Sequence, residues 1–176
     1  MRIIGGTHRS RQFHIPNNSA IRPTTDFAKE ALFNILQHRI DFENVTALDL
    51  FSGSGSISYE FASRGCKHIT AIEKKPDCCN FIKKKSHEFG LENICVINMD
   101  VFKYLNLCTC TFNIIFADPP FKLQNIKRIP ELVFEKKLLA ENGMLIVEHS
   151  SEINFSEIKQ LTEKRDYGTV NFSIFD

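Results

Sequence analysis

Short apolar runs alternate with amphipathic segments through most of the chain. Apolar residues recur at helical spacing in a segment that ends near Gly65, over 76–89, and after the 112–117 run to about Leu139, which predicts helices there. The runs between these segments are short and rich in β-branched and aromatic residues, which predicts buried strands at 45–51, 68–73, 94–98, 112–117 and 144–148. Strands that alternate with helices predict an α/β fold, a Rossmann-like, doubly wound and mostly parallel sheet.

The amino-terminal part of the chain departs from this alternation. Residues 2–15 contain two short extended runs around a Gly-Gly and polar centre, which predicts a basic β-hairpin. A loop is predicted over 16–23, followed by a helix that Thr25 caps. The apolar residues of that helix predict a single buried face made of Phe27, Ala28, Ala31, Leu32, Ile35 and Leu36.

The carboxyl-terminal part also differs, because residues 161–175 contain two extended runs around Tyr167-Gly168. This pattern predicts an antiparallel hairpin at one edge of the sheet. We therefore expect a basic β extension over residues 1–23 and one domain over residues 24–176.

The composition is that of a soluble globular protein. The chain has 176 residues, of which 43% are hydrophobic and 24% are charged, which excludes a disordered, collagen-like or coiled-coil chain. Its apolar runs fall short of the ~20 residues of a spanning helix, and its first residues lack a secretory signal, so we expect a cytoplasmic protein with no membrane partner. The six cysteines form no C-x-x-C pair, which favours reduced core residues and no metal site.

The charge is unevenly distributed although the formal net charge is only +1. Residues 1–40 contain six basic and two acidic residues, so the remainder of the chain is net acidic. A basic amino-terminal segment on a nearly neutral body predicts a polyanionic partner. The residues concerned are Arg2, Arg9, Arg11, Arg22, Lys29 and Arg39 against Asp26 and Glu30.

A glycine-containing turn follows the first predicted strand, in the sequence DLFSGSG from Asp49 to Gly55. Ligands of doubly wound sheets bind at the carboxyl ends of the strands. Gly53 and Gly55 would let the backbone approach a ligand closely, and the next helix would direct N–H groups towards it. Position 58 is Ser where a dinucleotide fingerprint has Gly or Ala, so this turn alone indicates a ligand site or a tight strand-to-helix connection equally.

Two carboxylates follow the second and third predicted strands. Glu73 lies about 20 residues past the turn, where a carboxylate suits the two ribose hydroxyls of a nucleoside cofactor; it equally suits the first turn of the helix near Pro76. Asp100 suits an adenine amino group, or the N-cap of the segment containing Phe102 and Leu105. The ordered set of residues, rather than either one alone, favours a nucleoside cofactor.

The tetrapeptide Asp118-Pro119-Pro120-Phe121 follows the fourth predicted strand. Two successive prolines form a stiff turn that lacks N–H groups. The Asp118 carboxylate and the Pro119 carbonyl can then accept both hydrogens of an exocyclic amine, which takes the nitrogen out of ring conjugation and directs its lone pair at an electrophile. Phe121 would offer a face on which a flipped base stacks. The alternative is an ordinary proline turn with a buried Phe.

DLFSGSG, Glu73, Asp100 and DPPF, in that order, resemble the class I S-adenosylmethionine-dependent amino-methyltransferases. The amino-terminal blocks RIIGGTHRSRQF, RPTTD and KEALFNIL are similar to those of the RsmD family. The resemblance covers nearly the whole chain. It departs at Ser52, where Ala is usual, and over residues 121–139, which are polar.

The resemblance implies a role for each motif. The cofactor would be held by Asp49, Phe51, Gly53 and Gly55 at its methionine part, by Glu73 at its ribose, and by Asp100 with Val101 at its adenine. The target guanine would be positioned by Asp118, Pro119 and Phe121, and RNA phosphates would be bound by Arg2, Arg9, Arg11 and Arg22.

The implied activity is methyl transfer from S-adenosylmethionine to the N2 amine of one guanine in 16S ribosomal RNA, by a monomer. The RNA would be naked or part of an assembly intermediate with ribosomal proteins. The nearest alternatives are DNA adenine-N6 and cytosine-N4 methyltransferases, although the chain is short for a target-recognition insertion. A glutamine-modifying protein methyltransferase, an NAD-dependent oxidoreductase and a non-catalytic RNA-binding module on the same fold are the others.

Overall fold

A seven-stranded sheet forms the centre of the protein in the computed structural model, which describes residues 1–14, 26–168 and 170–176. The strand order is β3-β2-β1-β4-β5-β7-β6, with β1 to β5 parallel and with β7 antiparallel to both β5 and β6. The predicted fold class, including the antiparallel carboxyl-terminal hairpin, is confirmed. The strands are β1 (Thr46–Leu50), β2 (His68–Glu73), β3 (Ile94–Asn98), β4 (Phe112–Ala117), β5 (Leu139–His149), β6 (Leu161–Tyr167) and β7 (Val170–Phe175).

The described residues contain five α-helices and one 3-10 turn, of which α1 and the 3-10 turn precede β1 and the others connect the parallel strands. They are α1 (Asp26–Leu36), the 3-10 turn Phe42–Asn44, α2 (Ser56–Ser63), α3 (Pro76–Phe89), α4 (Val101–Leu107) and α5 (Arg128–Glu135). Within the described residues, no helix has the length and apolarity needed to cross a membrane.

The connection between α5 and β5 differs from the prediction. The helix ends at Glu135 rather than near Leu139, and Leu139 already pairs with Phe112 in the sheet. The ladder then shifts register before Ile114 pairs with Met144. Because Glu141 and Asn142 interrupt the first half of β5 with polar, exposed side chains, the sequence pattern there did not indicate a strand.

The two faces of the sheet bury separate hydrophobic clusters. Helices α1 and α2 and the amino-terminal hairpin cover the first cluster, whereas α4 and α5 cover the second. The predicted buried face of α1 is wrong at Phe27, whose side chain is 66% exposed. Phe33, which the prediction did not include, is fully buried. The buried stripe of α1 runs through Ala28, Leu32 and Leu36, so Phe27 lies beside it, against Tyr167 of β6.

Residues 1–14 form the predicted hairpin, reduced to a single antiparallel bridge between Arg2 and Gln12. Backbone bonds from Ile3 N to Arg11 O (2.9 Å) and from Phe13 N to Met1 O (3.0 Å) hold it closed. Ile3 and Phe13 are buried in the first cluster. The hairpin therefore shares the hydrophobic core of the sheet. The predicted 16–23 loop, the Thr25 cap, Arg22 and the expected boundary at residues 23–24 lie outside the described residues.

A buried carboxylate anchors this hairpin to α2. Glu60 accepts hydrogen bonds from the backbone N–H groups of Ile4 (2.7 Å) and Gly5 (2.9 Å). Burial raises the pKa of Glu60, while these donors and the positive charges of Lys29 and Arg64 lower it. Removing the carboxylate would leave buried donors without partners, which costs about 1–3 kcal/mol for each group. Glu60 is thus a main determinant of where the hairpin lies.

Among the basic residues of the amino-terminal segment, Lys29 and Arg39 are held by partners within the fold. Lys29 is fully buried, donates to the carbonyl of Arg2 and lies 3.4 Å from the Asp26 carboxylate. Arg39 forms an ion pair with Glu163 of β6. These two charges therefore contribute less to a surface for polyanions than the count along the sequence indicates.

Candidate active site

The predicted site residues gather at the carboxyl edge of the sheet because three parallel strands end there in register. Leu50 of β1 lies between Ile72 of β2 and Ala117 of β4. The amide of Asp118 extends this ladder by one residue, with its N atom 3.5 Å from the carbonyl oxygen of Leu50. The residues after β1, β2 and β4 therefore begin side by side on one edge.

The turn after β1 is tight and left-handed at three positions. Phe51, Gly53 and Gly55 have φ angles of 61°, 54° and 80°, and a non-glycine residue such as Phe51 rarely adopts this conformation. A Cβ atom on Gly55 would lie 2.9 Å from the Tyr59 ring, so packing alone excludes a side chain at this position. The turn brings the N-terminus of α2 to the carboxyl edge.

Glu73 connects the end of β2 to this turn. One carboxylate oxygen accepts from the Gly53 amide (2.9 Å) and the other from the Lys75 amide (2.8 Å). A carboxylate has about four acceptor positions, so two remain for a ligand such as a ribose diol. Because its carboxylate holds the Gly53 amide, Glu73 is also a positioning residue for the turn. The sequence did not indicate this bond.

Asp100 acts as the N-cap of α4, which is the alternative role considered from the sequence. Its Oδ1 accepts from the amides of Phe102 (3.0 Å) and Lys103 (3.2 Å), and its Oδ2 lies 3.4 Å from the Lys74 ammonium. Val101 is the first residue of α4 and is buried. Both residues lie past β3, and contact with an adenine ring stays a prediction.

Asp49 is buried beneath the turn and titrates near neutrality. Burial raises its pKa to about 7, a hydrogen bond from Ser58 opposes the rise, and the negative charge of Asp118 adds to it. Its Oδ2 accepts from the Ser58 hydroxyl, while Ser52 Oγ donates to the Asp49 carbonyl at 2.7 Å. Ser58, at which the chain departs from the dinucleotide fingerprint, is therefore the hydrogen-bond partner of Asp49. The sequence did not indicate this role.

The Asp-Pro-Pro-Phe turn projects from the end of β4. Asp118 is half-buried, Pro119 is buried and Pro120 is exposed, and the amide of Leu123 closes the turn on the Pro120 carbonyl at 2.8 Å. Phe121 is 58% exposed, in contrast to the buried Phe of an ordinary proline turn. A half-buried carboxylate and an exposed aromatic ring therefore lie three residues apart in this turn.

Three of the four predicted RNA-binding arginines lie on the hairpin, and Arg22 is outside the described residues. Arg2 pairs with Asp26 at 3.0 Å. Arg11 donates to the Phe89 carbonyl at 3.2 Å and lies 5.5 Å above the Phe89 ring, whereas Arg9 is exposed. The start of the hairpin reaches the glycine turn, with Met1 Sδ 3.6 Å from Ser54 Oγ. The basic hairpin therefore extends away from the carboxyl edge along α2.

The six cysteines are free thiols, and three of them are buried: Cys66, Cys78 and Cys79. Burial raises the pKa of Cys66 to about 12 and raises the pKa values of the other two, so these thiols are poor nucleophiles. Within the described part of the chain, no group of three or more His, Cys, Asp and Glu side chains is arranged to hold a metal ion.

Comparison with known proteins gives matches along the whole chain. A family model described as Conserved hypothetical protein 95 matches residues 1–176. Ribosomal RNA small subunit methyltransferase D of Haemophilus influenzae is 30% identical over 181 residues, 99% of this chain and 93% of that protein. The protein of the same name from Escherichia coli K12 is 32% identical over 152 residues, 86% of this chain and 76% of that protein. The solved structure of yhhF from Escherichia coli is 29% identical, covers 99% of this chain and 96% of its own, and superposes with a TM-score of 0.86.

Proposed function

The chain belongs to the family described as Conserved hypothetical protein 95, the RsmD family that its motifs indicate, and we propose that it methylates a guanine of small-subunit ribosomal RNA. The methyl group comes from S-adenosylmethionine and the acceptor is the exocyclic N2 amine. Relatives that match most of the chain are named ribosomal RNA small subunit methyltransferase D. The observation that carries the proposal is the position of the Asp118 turn, directly beside the glycine turn on one edge of the sheet.

The groups at this edge suit that cofactor. Glu73 keeps acceptor positions for the ribose hydroxyls while it holds the Gly53 amide. The Asp49 carboxyl lies under the turn, where a cation favours its ionised form. Asp100 and Val101 follow β3, where the adenine would lie. The cofactor supplies an electrophilic methyl group on a sulfonium, which needs neither a metal nor a covalent enzyme intermediate.

The residues after β4 would prepare the amine for attack. The Asp118 carboxylate and the Pro119 carbonyl accept its two hydrogens, which directs the nitrogen lone pair towards the methyl carbon, while Phe121 stacks on the base. Transfer would form the N–C bond as the S–C bond breaks, and the electron pair of the S–C bond would stay on sulfur. Asp118 stabilises the positive charge on the nitrogen and accepts the surplus proton. Most of the acceleration comes from holding the two reactants in this geometry.

Mapping of methylated guanines in small-subunit RNA, with and without this protein, tests the proposal. We expect one guanine to gain an N2-methyl group. Parallel reactions on naked 16S RNA, an assembly intermediate and finished subunits identify the substrate, and light scattering tests the proposed monomer. Methylation of adenine N6 or cytosine N4 in DNA would contradict the proposal. It would also be contradicted if the protein bound RNA but S-adenosylmethionine did not raise its Tm. A ribosomal RNA substrate also implies a cytoplasmic location.

The affinity for S-adenosylmethionine is expected to rise with pH. Below its pKa of about 7 the Asp49 carboxyl is protonated, and a cationic cofactor has to drive off that proton when it binds. The Kd should therefore fall ~10-fold between pH 6 and pH 8 as this cost disappears. Calorimetry at pH 6, 7 and 8 measures the change. The Asp49→Asn variant should give a flat profile, and an unchanged pH dependence in that variant would assign the effect to another group.

Replacing both Arg9 and Arg11 with Ala is expected to weaken RNA binding and to flatten its dependence on salt. Each lost phosphate contact lowers the slope of log K against log[salt] by roughly 0.7–0.9. Filter binding between 50 and 200 mM salt measures this. A variant with Lys136→Ala and Lys159→Ala removes two exposed charges from the amino edge and serves as the control. Equal slopes in the two variants would exclude the hairpin as the RNA contact.

A further inference from the structure

Phe27 is an exposed aromatic residue at the start of an otherwise amphipathic helix. Among the described residues, only Phe27, Leu107 and Phe121 are large apolar side chains classed as exposed. The next residue, Ala28, begins the buried stripe of α1. The Phe27 ring is in edge contact with Tyr167, with 6.2 Å between the ring centroids. The two rings adjoin at the surface, and aromatic rings are the platforms on which the bases of single-stranded nucleic acids stack.

Phe27 lies on the same edge of the sheet as the Asp118 turn. His149, the last residue of β5, pairs with Asn171 of β7, and Tyr167 of β6 pairs with Val170 next to it. The β6–β7 turn therefore lies at the carboxyl edge. Strands β4 and β6 are three positions apart in the sheet, which corresponds to about 14 Å. That distance is within reach of a nucleotide one or two positions from a base at Asp118.

An exposed guanidinium also lies at the start of α1. Arg2 donates from Nε to the carboxylate of Asp26, the residue that precedes Phe27, and its side chain is 57% exposed. The buried Lys29 fixes the backbone of Arg2 by donating to its carbonyl. A guanidinium and an exposed aromatic ring thus lie at the same end of α1, and together they can bind the phosphate and the base of one nucleotide.

We propose that Phe27, Tyr167 and Arg2 form a nucleotide-stacking patch that binds an unpaired nucleotide flanking the target guanine. The inference rests on the proposed function, because it assigns this surface to the same RNA. Charged residues border the patch: Asp26 precedes Phe27, and Arg165 lies two residues before Tyr167 on the same face of β6. A protein partner would instead require a contiguous apolar surface of several hundred Å². An aromatic pair bordered by charge fits a base with its phosphate better.

The chain contains no tryptophan, so Phe27→Trp places a single tryptophan on the stacking patch, whose fluorescence can be followed selectively. We expect a single-stranded RNA oligonucleotide that includes the target guanine and its neighbours to quench this fluorescence. The same oligonucleotide with an abasic site at the flanking position should quench it less. The companion variant Phe27→Ala should lower kcat/KM for RNA by ~10-fold and leave the Kd for S-adenosylmethionine and the Tm unchanged. Phe27→Tyr should retain wild-type values.

Leu107→Ala is the matched control, because Leu107 is 64% exposed and belongs to α4 on the other face of the sheet. Equal losses of kcat/KM for RNA in Phe27→Ala and Leu107→Ala would overturn the inference. It would also be overturned if an RNA that the wild-type enzyme methylates left the fluorescence of Phe27→Trp unchanged. Quenching by ribosomal proteins but not by RNA would also overturn it. If the wild-type chain methylates no RNA, the proposed function fails instead, and the fluorescence titration still shows whether the patch binds nucleotides.

Discussion

Replacing Asp118 with Ala is expected to lower the rate of methyl transfer by about a hundredfold or more, while the cofactor still binds. The variant lacks the acceptor that orients the amine and the charge that stabilises the nitrogen as it becomes positive. Asp118→Asn keeps one acceptor oxygen but not the negative charge, so its rate should lie between those of the wild type and Asp118→Ala. The Asp118 turn would remain, because the two prolines and the Leu123–Pro120 bond define it.

Single-turnover transfer of a tritiated methyl group measures the rate, and calorimetry measures the affinity for the cofactor. The calorimetry belongs at pH 8, because the charge of Asp118 raises the pKa of Asp49 and its removal would shift the titration of Asp49. At pH 8 Asp49 is ionised in both proteins, so the comparison reports on Asp118 alone. A wild-type rate for Asp118→Ala would remove the residue from the mechanism.

Replacing Glu73 with Ala is expected to lower the affinity for S-adenosylmethionine by about a hundredfold, the sum of two effects worth roughly 1–2 kcal/mol each. The ribose loses a charged acceptor, and the Gly53 and Lys75 amides lose the carboxylate that holds the turn. Glu73→Gln should also bind weakly, because its amide group is a donor where the carboxylate accepts from two N–H groups.

Calorimetry with S-adenosylmethionine and with its 2′-deoxy analogue separates these two effects. The wild type should lose affinity for the analogue, whereas Glu73→Ala should bind both compounds equally. Asp77→Ala removes a neighbouring acid from the first turn of α3 and serves as the control. Equal discrimination between the two compounds in wild type and Glu73→Ala would show that Glu73 only positions the turn.

Much of the fold follows from local pattern. Strands β2, β3 and β4 and helix α3 have the predicted bounds, because each strand is a short apolar run between breaks and α3 begins with Pro76 and ends before Gly90. The end of α5, the start of β5 and the exposure of Phe27 were not predictable in this way. They depend on a register shift in the ladder and on which side of α1 faces the sheet, both of which are tertiary properties.

The candidate site was predictable as a set of strand ends but not as a network of bonds. The alternation of strands and helices brings Asp49, Glu73 and Asp118 to one edge whatever their side chains do. The bond from Ser58 to Asp49 joins residues 9 positions apart in the chain. The bond from Gly53 to Glu73 joins residues 20 positions apart. The sequence pattern marks Ser58 only as a departure from Gly or Ala, since no local pattern identifies a buried hydroxyl as a partner for a carboxylate.

The attachment of the hairpin to α2 affects the order of folding. Ile4 and Glu60 are 56 positions apart in the chain, so the entropy of closing that loop has to be overcome before their hydrogen bonds form. Strands β1 and β2 and helix α2 can come together first, through contacts between nearer residues. We therefore expect the hairpin to dock late, with Ile3 and Phe13 completing a cluster that already exists, and its amides to exchange with deuterium sooner than those of β1.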